Sequence, residues 1–239
     1  TGVQTCALPI YTGLSSALHL AEKGVRVVVT EARGIGFGCS GRNAGHCTPT
    51  FHFYSIPTVR KMLGPIYGER LVERQTNAAN LVFDLIKRYE IDCEGVQNGY
   101  LMVAHAPSKV KMLEEKQKTY ASAGKVTELL DRNETERLTG SPRYYGAWHH
   151  PEGGHLNPLG YSRGLARAVA AQLYAELLHG GYTQVCEFHY LHHDRDGTRY
   201  ADPWTLSWAI ADAAGDVGMG MTMLPVLYER AGFAQPTLR

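Results

Sequence analysis

The densest candidate chemistry lies near the start of the chain, where Gly34, Gly36, Gly38, Gly41 and Gly45 surround Ser40, Arg42 and Asn43. Glycine at this density suits no helix or strand and predicts a shaped loop. Small residues admit backbone to phosphate oxygens, and Arg42 can offset their charge. Upstream, Gly13 occupies the third slot of a G-x-G-x-x-G dinucleotide fingerprint, while the first two slots hold Leu8 and Ile10. Glu31 closes the following strand pattern, where an acid would bind ribose hydroxyls. This is half a fingerprint, and a plain helix-strand pair would also produce it.

A second cluster combines Glu187, His189, His192, His193 and Asp194. Strand alternation puts Glu187 and His189 on one face. His192 and His193 fall just beyond the strand, at the end where α/β barrels keep their active sites. These residue types could hold zinc. No catalytic triad is present, and Tyr100, His149, His150 and His155 are scattered polar groups without an assigned role.

Both clusters need elements to position them. Leu14, Ala17, Leu18 and Ala21 share a helical face that ends at Gly24. Residues 25–30, with Val27, Val28 and Val29, read as a parallel strand buried on both faces. Residues 1–10 show neither a strand nor a helix period. The middle of the chain predicts a long amphipathic helix over 69–89, with Leu71, Val72, Ala79 and Leu85 on its apolar stripe. A strand over 99–105 and a charged helix over 108–123 follow. Asp131 and Glu134 form a capping-box pattern, and Asn157-Pro158 opens a helix reaching about His179. The remainder reads as strand (183–190), helix (203–217, capped by Asp202) and strand (220–226), a parallel β-α-β unit.

The residues Tyr11-Thr12-Gly13-Leu14, Glu31-Ala32-Arg33, the 36–45 loop and Gly154-His155-Leu156-Asn157-Pro158 together resemble FAD-dependent oxidoreductases of the D-amino-acid oxidase type. The likeness is nearest to the bacterial branch acting on γ-glutamylputrescine and related amines, and it runs from Tyr11 to about Ala168. It implies FAD as cofactor, with Gly13, Glu31, Ala32 and Arg33 at the adenosine end and Ser40, Gly41, Arg42 and Asn43 around the pyrophosphate. It also implies an amine or amino acid as substrate, oxidised by hydride transfer to flavin.

From about residue 169 onward the chain resembles formimidoylglutamate deiminases, barrel hydrolases of histidine breakdown. This second likeness implies that Tyr190 lines a substrate pocket and that the nearby histidines hold no metal. The leading ten residues resemble translated sequencing-adapter sequence. The expected organisation is therefore a non-native leader (1–10), a partial FAD-binding domain (11–65), a substrate-lobe fragment (66–168) and a barrel fragment (169–239). The fold class is α/β: an incomplete Rossmann-like domain with an α+β lobe, followed by a β-α-β piece of a TIM-type barrel. A deiminase fragment, or an inactive joined product, are the alternatives to an oxidoreductase fragment.

Composition bounds the partners. Of 239 residues, 44% are hydrophobic and 20% charged, and the formal net charge is +1. That near-neutral balance gives no general attraction to nucleic acid or anionic lipid. No run approaches the roughly 18 apolar residues of a membrane span. Five cysteines without a C-x-x-C pair argue against a disulfide framework and for a reducing, cytoplasmic setting. Unpaired strand edges in so incomplete a fold lead to an expectation of non-specific self-association.

Overall fold

The computed structural model describes residues 5–7, 10–29, 35, 36, 38–189, 202 and 204–225. In chain order the elements begin with β1 (Thr5–Ala7), α1 (Tyr11–Ala21), β2 (Val27–Val29), a 3-10 turn (Cys39–Gly41), β3 (His46–Cys47) and α2 (Ile56–Arg88). Next come β4 (Tyr100–Val103), α3 (Val110–Ala121), β5 (Glu128–Leu130), α4 (Arg132–Thr139), β6 (Ala147–His150) and β7 (Gly154–His155). The series closes with α5 (Pro158–His179), β8 (Gln184–His189), α6 (Thr205–Val217) and β9 (Gly220–Pro225). Two compact units result: Thr1–Asn43 together with Pro158–Arg239, and Ala44–Asn157. Positions 65/66 and 168/169, where composition and resemblance put boundaries, lie inside α2 and α5.

In the first unit, β1 and β2 pair in parallel around α1, with Thr5 opposite Val27 and Ala7 opposite Val29. The patternless leader thus contributes a strand, because a neighbouring run of valines offers a ladder that three residues can join without a periodicity of their own. Leu14, Ala17 and Leu18 of α1 are buried as their spacing predicts, and Gly24 closes the helix at φ +70°. The reading of β2 as covered on both faces is corrected: Val28 is 37% exposed. Among the described residues β2 has β1 as its ladder partner, so a two-stranded sheet leaves one face open.

The β8-α6-β9 unit is present and parallel, with Gln184 opposite Gly220 and His189 opposite Pro225. Its core joins Tyr174 of α5 to Ala213, Ala214 and Met219. Asp202 accepts the Trp204 backbone N–H and the Trp208 indole N–H, both at 2.9 Å, but the expected cap is corrected: the N-cap of α6 is Trp204, without a side-chain cap hydrogen bond, and Asp202 stands two residues ahead of it. The barrel is not reproduced: β8 and β9 form a two-stranded sheet among the described residues, and a parallel β-α-β unit is common to open sheets and barrels alike.

The second unit is α+β. Its antiparallel sheet has the order β4-β6-β5, with Tyr100 opposite His150 and Glu128 opposite His149. Ile56, Val59 and Val72 of α2, Leu113 and Tyr120 of α3, and Trp148 of β6 form its core. The Tyr120 and Trp148 rings meet tilted by 57°, 5.0 Å between centroids. The capping box at α4 is complete: Asp131 accepts from the Glu134 N–H at 2.8 Å, and Glu134 accepts from the Asp131 N–H at 3.1 Å.

Candidate functional site

Helix α1 starts from Ile10, whose extended backbone (φ −95°, ψ 167°) supplies no side-chain cap, and its first turn holds no acid. A helix opening this way favours an anion in front of it. The glycine-rich loop is tied to that end. The Tyr11 N–H donates to Ser40 Oγ at 3.2 Å, and the Asn43 amide donates to the carbonyls of Cys39 (2.9 Å) and Ser40 (3.2 Å) and to the Tyr11 phenol oxygen (3.3 Å). The Tyr11 hydroxyl in turn donates to the Pro158 carbonyl at 3.2 Å, and its ring meets that of Tyr161 edge-on at 5.4 Å. Ser162 also donates to that carbonyl, at 3.0 Å.

Two glycines make this loop possible. A Cβ on Gly41 would collide with the Gly36 carbonyl oxygen, so the backbone crosses itself where no side chain fits. Gly36 itself sits at φ +73°, and a Cβ there would lie 2.9 Å from Leu159 Cδ1 and 3.2 Å from Ser162 Cβ. The structure therefore brings Gly13, the third residue of α1, together with Ser40, Gly41, Arg42 and Asn43 in one unit. Glu31, Ala32, Arg33 and Tyr190 lie outside the described residues, as do His192, His193 and Asp194. The sequence reading missed Tyr11, Gly36 and Ser162 as organisers of the loop. Ser162 carried one signal, its place four residues after Pro158 on a helix.

The donor set fits a phosphate-bearing group at the loop: exposed Arg42, a helix N-terminus without an acid, and the Ser40 hydroxyl, whereas Ser162 is buried and its hydroxyl is given to the Pro158 carbonyl. The turn before α1 fits less well. Ile10, 45% exposed, puts a branched side chain where a dinucleotide turn needs bare backbone.

The polar residues left unassigned fall in the second unit. His150 is fully buried in the core, and neither ring nitrogen has a hydrogen-bond partner. Burial holds its imidazole neutral, with the pKa pushed down to about 4. Trp148 and Tyr120 stand edge-on to it at 5.5 and 5.8 Å. His149 Nδ1 lies 3.1 Å from Glu128 Oε2 on the opposite face, and His155 pairs across the ladder with His46. Lys116 sits over the Trp148 and Tyr120 rings at 5.1 and 5.4 Å, and burial lowers its pKa. Burial, and secondarily the neighbouring Cys93, raises the Cys47 thiol to about 11, so it is a poor nucleophile. In the first unit Glu187 accepts a hydrogen bond from the Tyr174 hydroxyl at 2.9 Å. Among the described residues no three His, Cys, Asp or Glu side chains converge as a metal site.

The profile of one family, FAD dependent oxidoreductase (DAO), matches residues 11–216. The chain belongs to that family. Its match continues past Ala168 through α5, β8 and α6, the helix-strand order that an open parallel sheet shares with a barrel. Gamma-glutamylputrescine oxidoreductase of Escherichia coli (strain K12) is 41% identical over 160 residues, which cover 66% of this chain and 37% of that protein. Over a different segment, formimidoylglutamate deiminase of Pseudomonas aeruginosa is 60% identical across 65 residues, covering 27% of this chain and 14% of that protein. Glycine oxidase from Bacillus cereus ATCC 14579 shares the fold, with a TM-score of 0.55 at 18% identity over 72% of this chain and 44% of that one. The chain thus spans well under half the length of the curated relatives it matches, and it carries likenesses to two unrelated enzymes.

Proposed function

We propose that the chain is a fragment of a flavin-dependent oxidoreductase that oxidises a small amine or amino acid. Family membership over residues 11–216 and the Ser40–Tyr11 contact beside an acid-free helix start support this reading most directly. Gly13, Ser40, Gly41, Arg42 and Asn43 would hold the pyrophosphate of FAD, and Glu31 with Ala32 and Arg33 the adenosine end. FAD held there would supply the acceptor for a hydride from the carbon beside the amine. The chain's own contribution is orientation and charge: Arg42 offsets phosphate charge, and the Gly36–Gly41 crossing keeps side chains away from it. A cytoplasmic setting agrees with this chemistry, and no helix among the described residues is long and apolar enough to cross a membrane.

Ile10 and Leu8 weaken the grip on the cofactor. The expected outcome is that the purified chain loses FAD on gel filtration yet quenches flavin fluorescence when FAD is in excess. Replacing Leu8 and Ile10 by glycine should tighten binding about tenfold. No quenching in either form would overturn the reading.

A second reading applies to the C-terminal part, which resembles deiminases from about residue 169: 60% identity to a deiminase over 65 residues, in a segment other than the oxidoreductase match, supports such an origin for the β8-α6-β9 unit. On that reading Tyr190 belonged to a substrate pocket whose barrel is mostly missing, and the chain joins two enzyme pieces with no deiminase activity of its own. Exposed strand edges then favour self-association.

A further inference from the structure

Helix α2 does not run straight. Gly64 adopts φ +73°, ψ 178°, outside helical space, and Pro65 follows it, so the first arm cannot continue into the second. Gly68 shows how sharply the chain turns: a Cβ there would lie 2.8 Å from the Arg60 Cα and 3.2 Å from the Val59 carbonyl oxygen. Residues eight apart on a straight helix are about 12 Å apart. The arms therefore fold back and touch at residues 60 and 68. Arg60 clamps them together, donating to both oxygens of the Glu69 carboxylate, with Nη2 at 2.7 Å and Nε at 2.8 Å.

The residues between those contacts, 61–67, form the tip of this helical hairpin. Met62, Leu63, Ile66 and Tyr67 are 64%, 44%, 62% and 69% exposed there. Contiguous exposed apolar side chains of this size mark a binding surface. The surface is a convex tip and not a groove, which suits insertion into a soft apolar medium. Its surroundings are cationic: Lys61 is part of the tip, Arg70 and Arg74 are exposed on the next turns, and Glu69 is engaged by Arg60, leaving Glu73 as the nearby free-standing acid.

We propose that the 61–67 tip is a peripheral anchor for an anionic bilayer, placing Met62, Leu63, Ile66 and Tyr67 among headgroups and acyl chains with Lys61, Arg70 and Arg74 against lipid phosphates. Exposed apolar side chains beside basic ones bind such surfaces by burial and charge together, and tyrosine favours the headgroup level. The chain's near-neutral total charge conceals this local excess, because surface potentials act within about a Debye length.

Flotation of the full chain in a sucrose gradient tests this, since aggregates sediment while bound protein rises. With vesicles of phosphatidylglycerol and phosphatidylcholine the chain should float, and with phosphatidylcholine alone it should not. An Ile66→Ser/Tyr67→Ser double variant, altered outside the core and checked by circular dichroism, should lose about tenfold in vesicle affinity, and Arg70→Glu a similar factor at low salt. Failure to float with anionic vesicles, equal flotation with both vesicle types, or variants that float like the parent chain would overturn the proposal. A dimer in sedimentation velocity that Ile66→Ser dissociates would overturn it too, assigning the tip to a second copy.

Discussion

Ser40 Oγ accepts the Tyr11 backbone N–H at 3.2 Å, joining the glycine-rich loop to the first turn of α1 across 29 positions of chain. The contact orders the loop against the helix start in the free chain, and under the proposed function Ser40 would also help to hold the pyrophosphate. Ser40→Ala should weaken FAD binding about fivefold, the worth of one hydrogen bond near 1 kcal/mol. Flavin-fluorescence titration reads this, and equal affinity in the variant would remove the loop from the cofactor site.

Gly41 and Gly38 lie three positions apart in the same loop and should respond oppositely to alanine. A Cβ on Gly41 meets the Gly36 carbonyl oxygen, whereas one on Gly38 meets nothing within 4 Å. Gly41→Ala must open the crossing and is expected to abolish measurable flavin binding. Gly38→Ala should leave stability within about 0.5 kcal/mol of the parent, as surface changes usually do.

His150 makes stability depend on pH. Its folded pKa of about 4 lies below the ordinary 6.5, because burial disfavours the cation. Between those values the unfolded chain binds more protons than the folded one, so stability falls as pH drops from 6.5 to about 4. Lys116, Lys125 and His149 add to the shift and Glu152 opposes it. The loss attributable to His150 should reach roughly 3 kcal/mol by the lower pH. Urea midpoints of the unit containing Trp148 measure it, and His150→Phe should flatten the profile; an unchanged profile in that variant would assign the acid sensitivity elsewhere.

The elements that were legible carry their own local punctuation. Asp131 and Glu134 announce α4, Asn157-Pro158 announces α5, and the Leu14, Ala17, Leu18 spacing announces α1 with Gly24 behind it. What stayed hidden depends on partners distant in the chain. The strand β6 reads Ala-Trp-His-His, without alternation, and owes its strand state to ladders with β4 and β5 on either side. Leu71, expected on the apolar stripe of α2, is 41% exposed, while Thr76 is buried and satisfies its hydroxyl on the Val72 carbonyl at 2.9 Å. In the candidate site, glycine density revealed the loop. The crossing of Gly36 and Gly41 and the Tyr11 phenol could not be read, since both are contacts between positions with no fixed spacing.

The capping box itself is testable. Asp131 accepts the Glu134 N–H at an exposed helix start, so Asp131→Ala should cost about 1 kcal/mol. Thermal denaturation followed by circular dichroism would show it, and Asp131→Ser should recover most of the loss.

Tyr174 decides whether the C-terminal unit behaves as one piece with α5. The helix runs without interruption through residues 169–172, where the two family likenesses were expected to meet, and Tyr174 just beyond packs on Ala213 and Ala214 of α6. Its hydroxyl also donates to Glu187 of β8 at 2.9 Å, and burial together with that carboxylate raises the phenol pKa, so the ring stays protonated. One side chain thus joins α5, α6 and β8 by both packing and a hydrogen bond. Tyr174→Phe should cost about 1 kcal/mol, the bond alone, whereas Tyr174→Ala should cost 3 to 5, roughly the range for deleting a buried aromatic ring. The chain has 3 tryptophans, so a Trp148→Phe background leaves Trp204 and Trp208 as reporters beside α6. Urea unfolding in that background should show the Tyr174→Ala transition shifted well below the parent's. If both substitutions left the transition unmoved, β8, α6 and β9 would be folding independently of α5, and the helix would be continuous across the junction without joining its two sides energetically.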